Sequence, residues 1–238
     1  MDKKTVFGKL VETGIVPVIR ADTEKETLLA VEALLAGGIP VAEITMTVPD
    51  AITIIERCVL HFADRLLVGA GTVTDKATCA KAIAAGSRFV VTPAVKMEVI
   101  ELCRKEGVCV ISGALTPTEI LSVWEAGADA VKVFPAKAVG GPAYIRMIHE
   151  PMPHIPLVPT GGVSLETLEG YFDAGAAFVG SGGDLVNRRF LKNGERSLIT
   201  ERAVEYLSRI KKIRSRKRPW PRGVRSPRPR RPAPRPGG

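Results

Sequence analysis

Short apolar segments alternate with amphipathic ones along most of the chain. The apolar segments are rich in β-branched side chains and are bounded by glycine or proline, which is typical of buried parallel strands. The first long amphipathic segment, at residues 24–36, has helical spacing and ends at Gly37-Gly38, a helix-stop signal. The pattern predicts a short helix at residues 4–13 and then eight strands, at residues 15–20, 41–45, 66–70, 88–92, 108–112, 128–135, 157–159 and 177–180.

Each predicted strand is followed by helical sequence. The helices are predicted at residues 24–36, 49–62, 75–85, 96–106, 142–149 and 164–174, from the capping box at 116–119, and from the eighth strand to about residue 210. Eight strand–helix pairs favour an α/β fold, a (β/α)8 TIM barrel over residues 1–210 with a short N-terminal helix. An open doubly wound sheet is the alternative, but no GxGxxG motif follows the first strand.

The sixth strand carries a lysine in an apolar run. Side chains alternate along a strand, so Lys132 and Phe134 share one face, which would line the barrel interior. Desolvation disfavours an ammonium ion and so favours the neutral amine, which can form a Schiff base with a carbonyl. The alternative is a lysine whose stem lies along apolar surface while its head reaches water.

Two more charged side chains fall on strands at places where barrel enzymes carry chemistry. Glu43, on the second strand, shares a face with Thr45; near an amine it would shuttle protons, or the two would form a structural ion pair. Arg20 ends the first strand and is suited to grip a carboxylate with two hydrogen bonds. A solvated arginine before a helix is the alternative. The third and fourth strands end in Thr72 and Pro93.

Glycine-rich turns follow the seventh and eighth strands. They are Thr160-Gly161-Gly162 and Ser181-Gly182-Gly183, and each leads into a helix. Glycine lets the backbone approach a ligand closely, helix N-termini attract anions, and barrel phosphate sites lie at these two loops. The pair of turns therefore predicts a phosphate site, although Gly-Gly also serves to turn a tight corner.

The positive charge of the chain is concentrated at its end. Residues 211–238 contain twelve Lys or Arg, seven prolines and no acid, which leaves a net charge of −3 on residues 1–210 against +9 for the whole chain. Such a segment cannot bury a core, so we expect residues 211–238 to be a disordered basic tail. This tail is the only part of the chain through which nucleic acid or another anionic surface is expected to bind.

Composition also restricts the location and the chemistry. The four cysteines have no CxxC or zinc spacing and fall in predicted helices or strands, as expected of reduced thiols in the cytoplasm. No apolar run reaches membrane-spanning length, and an amphipathic stretch follows Met1-Asp-Lys-Lys in place of a signal core. No metal-ligand cluster is visible in the sequence, so no metal site is predicted.

Four segments resemble those of a known enzyme family. They are Glu43-Ile-Thr-Met-Thr-Val-Pro-Asp50, Gly69-Ala-Gly-Thr-Val73, Val131-Lys-Val-Phe-Pro135 and Val158-Pro-Thr-Gly-Gly-Val163. In order, over roughly residues 5–210, the chain is similar to the 2-keto-3-deoxy-6-phosphogluconate (KDPG) aldolases, which often also act as 4-hydroxy-2-oxoglutarate (KHG) aldolases. The resemblance implies a trimeric class I aldolase that needs no metal, and no other cofactor is predicted.

The resemblance also implies individual roles. Lys132 would form the Schiff base with the substrate, and Glu43 would be the general acid and base. The substrate would be held by residues at the strand ends, namely Thr72 at the pyruvyl carboxylate, Pro93 and Phe134 along the pocket, and Thr160, Gly161 and Gly162 at the phosphate.

Two positions depart from the family. Thr47 stands where many members carry an arginine that grips the substrate carboxylate, and Arg20 is the candidate to replace it. Gly183 stands where a phosphate-loop serine is common, while Ser181 lies two residues earlier. These two departures concern the binding of the substrate carboxylate and phosphate, and not the lysine chemistry.

The predicted reaction is the reversible cleavage of KDPG into pyruvate and glyceraldehyde 3-phosphate, with cleavage of KHG into pyruvate and glyoxylate as a further activity. A 2-keto-3-deoxy-6-phosphogalactonate aldolase is the alternative among enzymes; it differs only in configuration at C4, which residue spacing does not reveal. A catalytically weak barrel whose basic tail binds nucleic acid is the alternative from another class.

Overall fold

The structure is a computed structural model that describes residues 1–216. Eight parallel strands follow one another around a barrel, in the order β7-β6-β5-β4-β3-β2-β1-β8. The ring closes between its two ends through a bridge that pairs Thr160 with Gly180. The predicted TIM barrel is thereby confirmed. The strands are β1 (Ile15–Ile19), β2 (Val41–Thr45), β3 (Leu67–Gly71), β4 (Phe89–Val91), β5 (Cys109–Ala114), β6 (Ala130–Val133), β7 (Leu157–Pro159) and β8 (Val179–Ser181).

Helices surround the strands, as the pattern predicts. They are α1 (Lys3–Thr13), α2 (Glu24–Ala36), α3 (Ala51–Phe62), α4 (Lys76–Ala84), α5 (Met97–Lys105), α6 (Pro117–Glu125), α7 (Pro142–His149), α8 (Leu168–Asp173), α9 (Arg188–Lys192) and α10 (Arg196–Ser215). The capping box of α6 is present, with Thr116 and Glu119 each accepting a backbone N–H of the other. Within residues 1–216, no helix is both long and apolar enough to cross a membrane.

The prediction differs from the structure mainly near the chain's end. The helical sequence after β8 forms two helices, because Gly194 adopts a left-handed conformation (φ 69°) just after α9. The last helix continues to Ser215, past its predicted end near residue 210 and into the predicted tail. Ile213 is buried there, so this part of the predicted tail packs on the barrel. Residues 217–238, the rest of that tail, lie outside the described residues.

The N-terminal end of the barrel is covered by α1. This helix contacts β1 and β5, which lie on opposite sides of the ring, so it must cross beneath the barrel. Lys3 forms an ion pair of 3.0 Å with Asp129, just before β6. At the other end of α1, the Arg214 guanidinium donates to the carbonyl oxygens of Glu12 and Val11 and so joins α10 to α1. The opposite, C-terminal end of the strands carries the βα loops, where barrel active sites lie.

Candidate active site

Lys132 and Glu43 meet inside the barrel. They come from β6 and β2, on opposite sides of the ring, and their side chains are 2% and 3% exposed. Lys132 Nζ lies 3.9 Å from Glu43 Oε1, within ion-pair range but too far for a direct hydrogen bond. The ring of Phe134 has its centroid 5.3 Å from Lys132 Nζ. Both charged groups therefore lie on the strand faces that line the barrel interior, as the alternation of side chains along each strand predicted.

Glycines on the neighbouring strand make room for this arrangement. Glu43 pairs in register with Gly69, and Thr45 pairs with Gly71. A Cβ on Gly71 would lie 2.0 Å from Glu43 Oε1, and a Cβ on Gly69 would lie 2.3 Å from the ring of Phe89. Gly71 therefore provides the space into which the Glu43 carboxylate extends. Sequence reasoning assigned Gly71 no role, because this contact joins two strands and leaves no trace in the spacing along one of them.

Burial dominates the electrostatics of Glu43. Removal from water raises the pKa of the Glu43 carboxyl above its ordinary value, and the positive charges of Lys132 and Arg20 offset this only in part. Glu43 Oε1 has no hydrogen-bond partner among the described residues. A buried oxygen of this kind is available to a substrate hydroxyl or to water, and a carboxyl of raised pKa is a stronger base once it is ionised.

The opening of the barrel above this pair, at the C-terminal ends of the strands, is called the mouth. One side of the mouth is formed by the ends of β1 to β4. Thr72, directly after β3, has a φ of 57°, which is strained for a β-branched residue and is a feature of functional sites. Thr47 is exposed, and its Oγ1 lies 2.7 Å from Thr45 Oγ1. Arg20 follows β1 and is also exposed, and its charge acts on Glu43. Pro93 is half-buried, and its backbone lies so close to Gly113 that no side chain fits there.

The two glycine turns lie side by side at the seam between β7 and β8. Gly161 and Gly162 have φ values of 87° and 81°, a conformation that favours glycine. The Thr160 side chain is buried, and a Cβ on Gly180 would lie 2.4 Å from its Oγ1. The turn is held against the β6 loop, since the N–H of Ala136 donates to Thr160 O at 2.8 Å.

The second turn is only partly open to a ligand. A Cβ on Gly183 would meet nothing within 4 Å, so this position faces open space. Ser181, in contrast, is 1% exposed, and its Oγ lies 3.3 Å from the hydroxyl of Tyr206 on α10. Tyr206 in turn donates to Asp184, and these contacts anchor the turn. The structure therefore brings Gly183 to the mouth but directs the Ser181 hydroxyl towards α10. This network was missed in the sequence because Tyr206 lies far along the chain.

A comparison with protein families decides the identity. The family described as "Aldolase: KDPG and KHG aldolase" has a model that matches residues 6–202. The chain belongs to the KDPG and KHG aldolase family. It is therefore an aldolase, an enzyme of the carbon–carbon lyase class, as the resemblance of the four segments implied.

Individual relatives of this aldolase agree with the family match. The chain is 39% identical over 160 residues to a 2-dehydro-3-deoxy-phosphogluconate aldolase of Pseudomonas aeruginosa, covering 67% of this chain and 72% of that one. It is 35% identical to a 2-dehydro-3-deoxy-6-phosphogalactonate aldolase of Escherichia coli K12, covering 72% and 83%. A solved KDPG aldolase of Legionella pneumophila, with pyruvate captured as a covalent carbinolamine intermediate, superposes with a TM-score of 0.79 at 33% identity, covering 86% and 97%.

A large cavity of this aldolase lies away from the Lys132–Glu43 pair. It has a volume of about 800 Å³ and lies at the N-terminal end of the barrel, where Lys9, Leu67, Arg88 and Leu207 are among its lining residues. Neither Lys132 nor Glu43 lines it. We assign the site to the mouth rather than to this cavity, because barrel chemistry is carried at the C-terminal ends of the strands. Within residues 1–216, no group of three or more His, Cys, Asp or Glu side chains is placed to hold a metal ion.

Replacing Gly71 with alanine is expected to inactivate this aldolase. The new Cβ would overlap the Glu43 carboxylate and force it from its position, so kcat should fall by about 100-fold or more. Overpacking should also lower the free energy of unfolding by about 1–3 kcal/mol. Kinetics and chemical denaturation measure the two effects. The control is Gly8→Ala on the exposed side of α1, where a Cβ meets nothing within 4 Å and both values should be nearly unchanged or slightly improved.

Replacing Glu43 with glutamine is expected to make the folded state less sensitive to pH. Because the pKa of Glu43 is raised on folding, the wild type is most favoured below the ordinary value of 4.5 and loses stability as the pH rises through the raised pKa. The free energy of unfolding of Glu43→Gln relative to wild type should therefore increase between pH 4.5 and pH 8. Urea denaturation across this range measures the difference. A difference in the free energy of unfolding that does not change with pH would contradict it.

Proposed function

We propose that this aldolase reversibly cleaves KDPG into pyruvate and glyceraldehyde 3-phosphate through a Schiff base on Lys132. The observation that carries the proposal is the buried Lys132 amine, 3.9 Å from the Glu43 carboxylate and inside the barrel below two glycine turns. An amine in a water-poor interior reacts with a keto group when it is neutral, and the neighbouring carboxylate can move a proton. These are the two groups that cleavage of a 2-keto-4-hydroxy acid requires.

The proposed mechanism uses Lys132 as the electron sink. Its amine adds to the C2 carbonyl, and loss of water gives an iminium ion. Glu43 then takes the proton of the C4 hydroxyl, the C3–C4 bond breaks, and its electron pair moves into the iminium to form an enamine while the aldehyde leaves. Glu43 returns a proton to C3, and water hydrolyses the imine to release pyruvate and the free amine. The raised pKa of Glu43 suits both steps, because the group must accept and then give up the same proton.

The residues around the mouth would hold the two ends of the substrate. Thr72, Thr47 and Arg20 lie at the ends of neighbouring strands and would bind the carboxylate, with Arg20 as the cation. Pro93 and Phe134 would line the pocket between the two ends. At the opposite side of the mouth, Thr160 to Gly162 and Gly182 to Gly183 would present backbone to the phosphate, an arrangement that left-handed glycines permit.

A substrate panel tests the proposed reaction. Pyruvate release should be fastest with KDPG, slower with its galactonate epimer at C4, and slowest with the unphosphorylated KHG, because only the first two carry a group for the glycine turns. A preference for the galactonate epimer would assign the chain to the activity named for its Escherichia coli relative. Absence of pyruvate release from all three would contradict the proposal.

Location and assembly belong to the same proposal. The four cysteines are free and buried, which suits the reducing cytoplasm. The family resemblance supports a homotrimer, and light scattering on the purified protein measures its mass in solution. A monomeric mass would contradict that part of the proposal without affecting the lysine chemistry.

A further inference from the structure

Lys137 lies between the loop after β6 and the first glycine turn. It belongs to a single turn of 3-10 helix, Ala136–Val139, that follows the strand of the Schiff-base lysine. Its backbone N–H donates to Gly161 O at 3.0 Å. A Cβ on Gly162 would lie 2.3 Å from Lys137 Cβ and 2.6 Å from its Cδ. The aliphatic stem of Lys137 therefore lies across the open face of Gly162.

The stem position restricts where the charge can go. Only two bonds of about 1.5 Å each separate Cδ from the ammonium nitrogen, so the charge stays near the turn in every rotamer of the last two torsions. Lys137 is exposed, and within residues 1–216 its ammonium takes part in no ion pair. An unpaired cation is thus held against the glycine turn and remains available to a ligand.

The two turns themselves carry no charge. Their side chains are limited to the hydroxyls of Thr160 and Ser181, and the Ser181 hydroxyl is directed towards α10. A phosphate bound to backbone amides alone would keep most of its negative charge uncompensated, whereas an ammonium adds a charge-assisted hydrogen bond. Lys137 is the cation that the structure holds against Gly162.

We propose that Lys137 is a specificity-determining residue that binds the phosphate group at the end of the substrate remote from the keto acid. This inference rests on the proposed function, and it assigns the preference for a phosphorylated substrate to one side chain. The proposal does not require a side chain at position 183, where this chain has a glycine that faces open space. Lys137 does not reach the reacting carbons in this proposal, so it contributes to binding and not to the chemical step.

The test is Lys137→Met, which keeps an apolar stem of similar length and removes the charge. With KDPG as substrate, KM should rise about tenfold while kcat stays within about twofold, because a charge-assisted contact is lost from binding only. With unphosphorylated KHG, both constants should be unchanged. Lys137→Arg should restore most of the affinity for KDPG. Lys105→Met, an exposed lysine at the end of α5, is the matched control and should behave like wild type.

Direct binding of inorganic phosphate keeps the test independent of turnover. Its affinity, measured by titration calorimetry at low salt, should fall about tenfold in Lys137→Met and should depend less on salt than in wild type. An unchanged KM for KDPG together with unchanged phosphate binding would overturn the assignment. An equal rise in KM with KDPG and with KHG would also overturn the assignment, since that result would indicate that Lys137 has a structural role. Trapping of pyruvate on Lys132 needs no phosphate, so its failure in the wild type would contradict the Schiff-base mechanism separately.

Discussion

Lys132→Met is expected to abolish turnover and to eliminate the adduct that borohydride traps from pyruvate. Methionine fits the buried site and has no amine, so no iminium forms, and kcat should fall by more than about a thousandfold. In the wild type, treatment with pyruvate and borohydride should add the pyruvate-derived mass to Lys132, which peptide mass spectrometry locates. The variant should stay folded, because methionine is an apolar side chain of similar length and because Glu43, whose pKa is raised by burial, can take up a proton.

The control for this experiment is another lysine near the same mouth. Lys137→Met should be labelled at Lys132 as efficiently as the wild type. An adduct on Lys137 or elsewhere, with Lys132 unlabelled, would contradict the proposed mechanism. A folded Lys132→Met protein that keeps measurable turnover would do so as well. Circular dichroism and thermal unfolding establish that the compared proteins are folded.

Glu43→Gln is expected to separate imine formation from carbon–carbon bond cleavage. The amide cannot accept the C4 proton, so kcat should fall by about 10²- to 10⁴-fold, while borohydride still traps pyruvate on Lys132. In the wild type, kcat/KM should fall at low pH as Glu43 becomes protonated, with a midpoint above the ordinary carboxyl value of 4.5 because burial raises the pKa of Glu43. The variant should lack this fall in kcat/KM at low pH.

Two outcomes of that experiment would contradict the role of Glu43. One is a kcat within a few-fold of wild type, and the other is loss of trapping together with turnover, which would place Glu43 in imine formation instead. If the stability of the variant relative to wild type also increases as the pH rises, as expected above, then the ionised carboxylate that the chemistry needs is kept at a cost in stability. That combination is common at active sites.

The sequence was sufficient for the barrel and for its central pair of charges. Repeated alternation of apolar and amphipathic segments determines a βα repeat, and the period of two along a strand determines which side chains share a face. On that basis Lys132 shares a face with Phe134 and Glu43 shares a face with Thr45, and the structure shows that both of these faces line the interior of the ring. The end of α10 was mispredicted because basic sequence after residue 210 reads as solvated, whereas Ile213 is buried and Arg214 donates to α1.

The contacts that adjust the site could not be read from the sequence. Gly71 leaves space for Glu43, and Gly162 leaves space for Lys137; each contact joins residues from different strands or loops, at distances set by packing. Ser181 was predicted on the phosphate turn from its position alone, but its hydroxyl faces Tyr206 on α10. Spacing along the chain indicates which loops come together. It does not indicate which way a side chain at a strand end points.

The bond between Arg214 and the last turn of α1 has a practical consequence for handling this protein. Met1 and the end of α10 both lie on the side of the barrel that α1 covers, since Met1 lines the cavity there and Arg214 donates to the last turn of α1. An affinity label, a fluorophore or a fused domain can therefore be joined next to either of them without standing at the entrance that the keto acid uses. Immobilised through these positions, the aldolase would present its catalytic opening to the solution.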